Sequence, residues 1–154
     1  MDSAKDSAQV RNVAMDKMRH GMNCAEAVCT TIMETRMQPQ GPDGQAMPFA
    51  AAMTGRAATA FAGGLGRSKE EMCGALAGGV LALGCLFGRE TPGSDYAYVA
   101  DLAAEFRLRF RALTGATRCL DVLAALGPQE HWEACIRLAG DTAGALHDLL
   151  VEQA

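Results

Sequence analysis

Sixteen consecutive residues from Met72 to Phe87, MCGALAGGVLALGCLF, carry no charge, and they follow a glycine-rich turn, FAGGLGR, at 61–67. Together these two segments constrain the fold more than any other part of the chain. The run is shorter than the ~20 apolar residues a membrane-crossing helix needs, so it is expected to be buried in protein rather than in lipid. Read as a helix, it places Cys73, Leu76, Val80, Leu83 and Phe87 on one face. Gly74, Gly78, Leu81 and Cys85 fall along another. A glycine inside a helix costs ~1 kcal/mol relative to Ala, which makes sense where a second backbone must come close. The expectation is a central Gly/Ala-rich helix at about 68–88, surrounded by others, with Cys85 as a packing residue.

Composition agrees with helices. Hydrophobic residues are 49% of the 154-residue chain and charged residues 21%, an ordinary globular balance, whereas aromatics are only 5%. Strands favour β-branched and aromatic residues, and this chain is rich in Ala, Gly and Met instead. We expect an all-α, compact bundle of about five to seven helices in a single domain over 1–154, large enough to bury roughly two thirds of its unfolded surface. The net charge of −4 leaves no electrostatic footprint for nucleic acid. The charged N-terminus has no apolar core of a signal peptide, which points to a soluble, cytoplasmic protein with no membrane span. In that compartment six cysteines are thiols, metal ligands or catalytic groups more readily than a fixed disulfide framework.

In order along the chain, Val10, Val13, Ala14 and Met18 repeat at helical spacing before Gly21. Asn23 with Glu26 then has the capping-box spacing, opening a second helix on which Cys29 faces the core. A loop, MQPQGPDGQAMP, precedes a third helix from Phe49 to Ala62. Ser68 with Glu71 repeats the capping-box spacing before the central helix. A fifth helix is expected from about Asp95 to Thr114, a short one after Thr117, and a last one from Gln129 to about Val151 that buries Trp132. Arg107, Arg109 and Arg111 read as a solvated face of the fifth helix, with Glu105 and Arg109 as an i,i+4 pair.

With Cys29 and Cys85 assigned to packing, Cys24, Cys73, Cys119 and Cys135 remain. They form no CxxC, so neither a thioredoxin-type pair nor a zinc-ribbon spacing is present, and CxxCH is absent as well. Cys24 and Cys119 fall in expected first helical turns, and Cys73 lies just past the second capping box. A helix N-terminus favours thiolate, which is both the nucleophile and the metal ligand, so these thiols are expected to have lowered pKa values. His131 stands four residues before Cys135; on one continuous helix the two would share a face and could ligate one metal or form a thiolate–imidazolium pair. His20 precedes Cys24 by the same interval, but Gly21 breaks the helix between them. His147 shows nothing distinctive. The segment GGLGRSK gathers backbone N–H groups, Arg67 and Lys69 in a way suited to an anion, although it matches no nucleotide-binding pattern and serves equally as a tight connection between helices.

GMNCAEAV around Cys24, FAGGLGR followed by CGALAG at Cys73, RCLDVL around Cys119 and CIRLAGDTAGAL after Cys135 occur in order over most of the chain. In this the sequence resembles the family of redox-active proteins defined by a CGAxxG motif and four cysteines. The family is defined largely by sequence, and its name records a redox role rather than an established reaction. Related domains occur in split-Soret-type cytochromes, so the resemblance also implies an iron–sulfur cluster or metal ion as the alternative occupant of Cys24, Cys73, Cys119 and Cys135. Two departures flank Cys73: FAGG stands where FGGG is usual, and GRSKEEMC is one residue longer than the common GRxGExC.

Three functions follow as expectations. The first is thiol/disulfide cycling or electron transfer at a four-cysteine site, with an unidentified redox partner. The second is metal or iron–sulfur binding by the same four cysteines, with His131 as a further metal ligand. The third is a non-catalytic helical binding module with packing cysteines. The small-residue face of the central helix would serve a homodimer as readily as an internal neighbour.

Overall fold

Helix α1 (Ser3–Arg19) and the final helix α7 (Glu133–Glu152) pack along each other and form the longest contact in the fold. Their seam is made by small residues of α7: a Cβ added at Gly140 would meet the Met15 side chain at 2.7 Å and Arg11 O at 3.1 Å. The computed structural model describes residues 3–37 and 47–154, so the loop expected around 38–46 lies outside the described residues. Between α1 and α7 come α2 (Cys24–Arg36), α3 (Met47–Ala58) with a 3-10 turn at Thr59–Phe61, α4 (Gly74–Phe87), α5 (Ala97–Thr114) and α6 (Cys119–Leu126). Among the described residues there are seven α-helices and no strand, an all-α architecture. None of these helices is long and apolar enough to cross a membrane.

The second major pairing is α2 against α4. Gly78 is the crossing point: a Cβ there would fall inside the Ala25 carbonyl, with Ala25 Cα and C both at 2.9 Å. At the very next residue, a Cβ at Gly79 would collide with the Phe106 ring of α5. The glycines of α4 thus do what their spacing suggests, letting α2 and α5 approach its backbone. The core lies where these faces meet and contains Val28, Ile32, Leu76, Leu83, Phe106 and Leu146. Cys29 is fully buried in it.

Several expectations shift. The central helix begins at Gly74 rather than near 68, because residues 63–67 and Lys69 turn left-handed and the chain bends through 69–71 before the bridge at Met72. The spacing Ser68–Glu71 is therefore no capping box; Ser68 Oγ instead donates to Gly64 O within the loop. The α4 C-terminal turns are not surrounded, and Cys85, expected in the core, is exposed beside Gly84. Helix α7 starts at Glu133, since His131 (φ 50°) and Trp132 (φ 60°) are left-handed and cannot continue a right-handed helix. Trp132, expected inside, is 60% exposed. Leu113, at the overhanging end of α5, is also exposed.

Candidate functional site: four thiols around one cavity

Each of the four singled-out cysteines stands at the start of a helix, and local sequence explains why. Cys24 is the first residue of α2, whose start is held by a full capping box: Asn23 Oδ1 accepts from Glu26 N–H at 2.9 Å, and Glu26 Oε2 accepts from Asn23 N–H at 3.0 Å. The same two side chains reach the 3-10 turn, with Asn23 Nδ2 donating to Thr59 O and Thr59 Oγ1 donating to Glu26 Oε1. The start of α2 is thereby tied to the chain that enters the glycine loop.

That loop holds five consecutive residues with positive φ: Gly63, Gly64, Leu65, Gly66 and Arg67. Lys69 (φ 64°) is left-handed as well. For Leu65, Arg67 and Lys69 this costs roughly 1–2 kcal/mol each. The turn is closed by Gly66 N–H to Ala60 O and Lys69 N–H to Gly63 O, both 2.8 Å. At Gly64 no side chain would fit, since a Cβ would lie 2.7 Å from Cys119 Cβ and 2.9 Å from Lys69 Cα.

After the loop, the extended approach to α4 pairs with the approach to α6. Met72 and Arg118 form an isolated antiparallel bridge. Cys73 N–H donates to Thr117 O at 2.7 Å, Cys119 N–H to Glu71 O at 2.8 Å and Leu120 N–H to Lys69 O at 2.9 Å. Two residues more than forty apart in sequence are thus set side by side, Cys73 as the N-cap of α4 and Cys119 as the first residue of α6. Cys24 joins them across Gly74, where a Cβ would stand 2.5 Å from Cys24 Sγ.

Cys135 is the third residue of α7 and is gripped by Gln129. The Gln129 Oε1 accepts from Cys135 N–H at 2.9 Å, while Nε2 donates to Cys135 Sγ at 3.2 Å. The N–H donor fixes which way the amide faces, so the NH2 end must point at the sulfur. Gln129 was not legible as a site residue because the favoured capping residues are Ser, Thr, Asp and Asn.

All four thiols line one cavity of about 520 Å³. Cys73 and Cys119 are 6% and 7% exposed, and Cys24 and Cys135 are half-buried. Their electrostatic couplings link Cys24 to each of the other three, and Cys119 likewise, which places those two in the middle of the set. The expected lowering of the thiol pKa does not result. Burial pushes the Cys73 thiol up to about 12, with neighbouring Cys24 adding to the rise and the Ala75 and Leu76 N–H groups opposing it. Burial likewise raises Cys24, against the N–H of Gly63, and raises Cys119, against the charge of Lys69. The helix starts act in the expected direction, but desolvation outweighs them.

His131 also lines the cavity, though not by helical register with Cys135. His20 is exposed and its Nδ1 lies 2.7 Å from Asp16 O. Among the described residues no three His, Cys, Asp or Glu side chains are arranged to hold one metal ion. The thiols surround a space instead of converging on a point, so the arrangement does not fit a single tetrahedral ion such as zinc. A group that fills more of the space, as a polynuclear cluster would, is compatible with the donor set.

Helix starts that carry thiols to a common cavity define an all-α protein of the multi-thiol class. Residues 22–149 match the family described as "Putative redox-active protein (C_GCAxxG_C_C)", and the chain belongs to that family. No curated protein and no solved structure matches the chain.

Proposed function

We propose that the protein is a thiol–disulfide redox protein whose working groups are Cys24, Cys73, Cys119 and Cys135. The observation that carries this reading is their shared cavity, with Cys29 in the core and Cys85 outside it. Cys135 is the attacking thiol. It is half-buried, and Gln129 fixes its position twice over, donating to its sulfur and accepting from its N–H. The thiolate attacks one sulfur of a small disulfide; that S–S bond breaks, and the departing sulfur takes up a proton as a thiol. Cys24 or Cys119, both coupled to Cys135, then loses its proton and displaces the second substrate thiol from the mixed disulfide. The protein dithiol becomes an internal disulfide, and two electrons and two protons end on the substrate as two thiols. The chain is proposed to act as a single domain.

The same four thiolates are the ligands for the second reading, an iron–sulfur cluster, favoured by their arrangement around a space and by the backbone N–H groups at the helix starts. Such a cluster would supply one-electron transfer. Anaerobically isolated protein, treated with oxidised glutathione and measured by intact mass and thiol titration, separates the readings. Disulfide formation confined to the cavity cysteines, unaffected by Cys29→Ala or Cys85→Ser, is expected. Stoichiometric iron and sulfide with no disulfide formed would replace the exchange reading by the cluster; neither would remove both.

A further inference from the structure

The geometry points to a small organic oxyanion, a carboxylate, phosphate or sulfonate carried on an apolar body, as the ligand class of the four-thiol cavity. The inference deepens the redox reading and rests on its choice of cavity. Three independent features of the lining support it.

The first is charge. The chain has 18 acidic residues and a net charge of −4, yet among the described residues no Asp or Glu lines this cavity, whereas Arg67 and Lys69 both do. The neighbouring Glu70 and Glu71 face a different cavity, shared with Arg107 and Arg118. Six described cations make ion pairs: Arg11 with Asp141, Lys17 with Glu34, Arg19 and Arg137 with Glu133, Arg109 with Glu152 and Arg118 with Asp121. Arg67 and Lys69 make no side-chain ion pair or hydrogen bond among the described residues. A cation pair kept free at the rim of a cavity in an acidic protein is a local reversal of charge that an anion would satisfy.

The second is backbone strain. Arg67 and Lys69 are both held at positive φ, which neither residue favours, in the turn that also brings Gly63 to the cavity. Left-handed backbone at non-glycine residues persists where the surroundings over-determine it, commonly at a ligand clamp. Here the turn sets both cations on the lining of the cavity, with the charge of Lys69 felt at Cys119.

The third is the apolar lining. Met18, Met22, Leu123 and Ile136 line the space together with Trp132, which is 60% exposed although tryptophan is ordinarily well covered. An indole left open next to cations offers a face to an apolar or planar body, while the charge is taken by Arg67 and Lys69.

Trp132 is the sole tryptophan of the chain, so its emission reads this cavity directly. The test titrates the reduced full-length protein with 8-anilinonaphthalene-1-sulfonate and, in parallel, with the neutral N-phenyl-1-naphthylamine. One sulfonate should bind with quenching of Trp132, and Arg67→Gln/Lys69→Gln should weaken it by about tenfold or more, as expected for two charge-assisted contacts. The neutral dye should be changed by less than about twofold. The charge-preserving Arg67→Lys/Lys69→Arg protein should retain most of the sulfonate affinity, which guards against a simple folding defect, and Arg107→Gln should bind both dyes as the parent does. Unchanged sulfonate affinity in the double variant, or equal weakening of both dyes, overturns the inference. Its fate separates from that of the redox reading through the protein in which Cys24, Cys73, Cys119 and Cys135 are all serine. Charge-dependent sulfonate binding should persist there even though no thiol can cycle, and loss of that dependence with the thiols removed would overturn the inference as well.

Discussion

Replacing Gly78 by alanine tests the packing that brings Cys24 to Cys73. By helix propensity alone the change should stabilise α4 by about 0.5–1 kcal/mol. The structure predicts the opposite. An added Cβ would meet the O, C and Cα atoms of Ala25, none of them able to swing aside as a side chain would, because all belong to the backbone of α2. Restoring van der Waals separation requires α2 to retreat by about 1 Å along much of its contact with α4. Overpacking of this kind costs roughly 1–3 kcal/mol, so the net effect after the propensity gain is a loss of up to about 2.5 kcal/mol. For a chain of this size that lowers the melting temperature by up to roughly 10 °C. Gly84 provides the internal control, being on the same helix with nothing within 4 Å of an added Cβ. Gly84→Ala should raise the melting temperature by about 1–4 °C. Circular dichroism or calorimetry on both variants measures the contrast. Cys24 adjoins Ala25, so Gly78→Ala should also speed alkylation of Cys24. If both variants melt above the parent, α2 and α4 have slack at the crossing and the account of the α4 glycines is wrong.

Three further outcomes are expected. Burial holds the folded Cys73 thiol up to about 12 against an ordinary 9.0, so above pH 9.0 the unfolded chain releases a proton that the folded chain keeps. Stability from this thiol is therefore complete below pH 9.0 and is lost as pH rises toward about 12, at no more than about 1.4 kcal/mol per pH unit. Denaturant titrations of the parent and of Cys73→Ala, compared across that range, isolate the slope; parallel curves would refute it. Gln129→Leu removes the acceptor for Cys135 N–H and the donor to Cys135 Sγ at the start of α7, which should cost about 1 kcal/mol and lower the melting temperature by roughly 2–4 °C. A melting temperature equal to the parent's would show that these two contacts hold nothing in place. Finally, His147 is 5% exposed with no partner for either ring nitrogen among the described residues. Replacing a buried, unpartnered polar group by an apolar one of similar size is neutral or stabilising, so His147→Leu should melt at or above the parent, and a drop of more than about 4 °C would contradict this.

The parts of the fold that were legible in the sequence are those set by short-range chemistry. Asn23 and Glu26 make a capping box because the helix follows them at once, and both partners are within reach. Ser68 and Glu71 have the same spacing but not the same structure, since the left-handed run before them directs the chain into an extended segment paired with Thr117–Cys119. That pairing joins residues distant in sequence and leaves no local pattern. The same limit applies to His131, whose interval to Cys135 implies a shared helix face only if the helix begins before it; two left-handed residues intervene. Cys29 and Cys85 both lie on apolar stripes, yet only Cys29 is covered, because what covers a stripe is decided by the packing of other elements. The common cavity of four helix starts is likewise a property of tertiary packing.

Burial and charge act on the cavity in opposite senses, and their balance bears on the proposed redox roles of its thiols. Helix starts supply N–H groups to Cys24 and Cys73, and Lys69 supplies positive charge near Cys119, yet desolvation keeps all three thiols above their ordinary value. A buried thiol is a poor first attacker but a good second one. Once a mixed disulfide has formed nearby, attack is intramolecular, and local concentration compensates for a small thiolate fraction. Cys135 differs in its neighbour, the Gln129 amide, which donates to its sulfur and caps its helix by accepting from its N–H. The cations at the rim fit the same scheme. An anionic substrate body bound by Arg67 and Lys69 would sit beside Cys24, Cys73 and Cys119, which burial keeps as neutral thiols, avoiding the repulsion their thiolates would exert. The raised pKa values of these three, an obstacle if each is judged alone as a nucleophile, are then what would allow an anion to share the cavity with them.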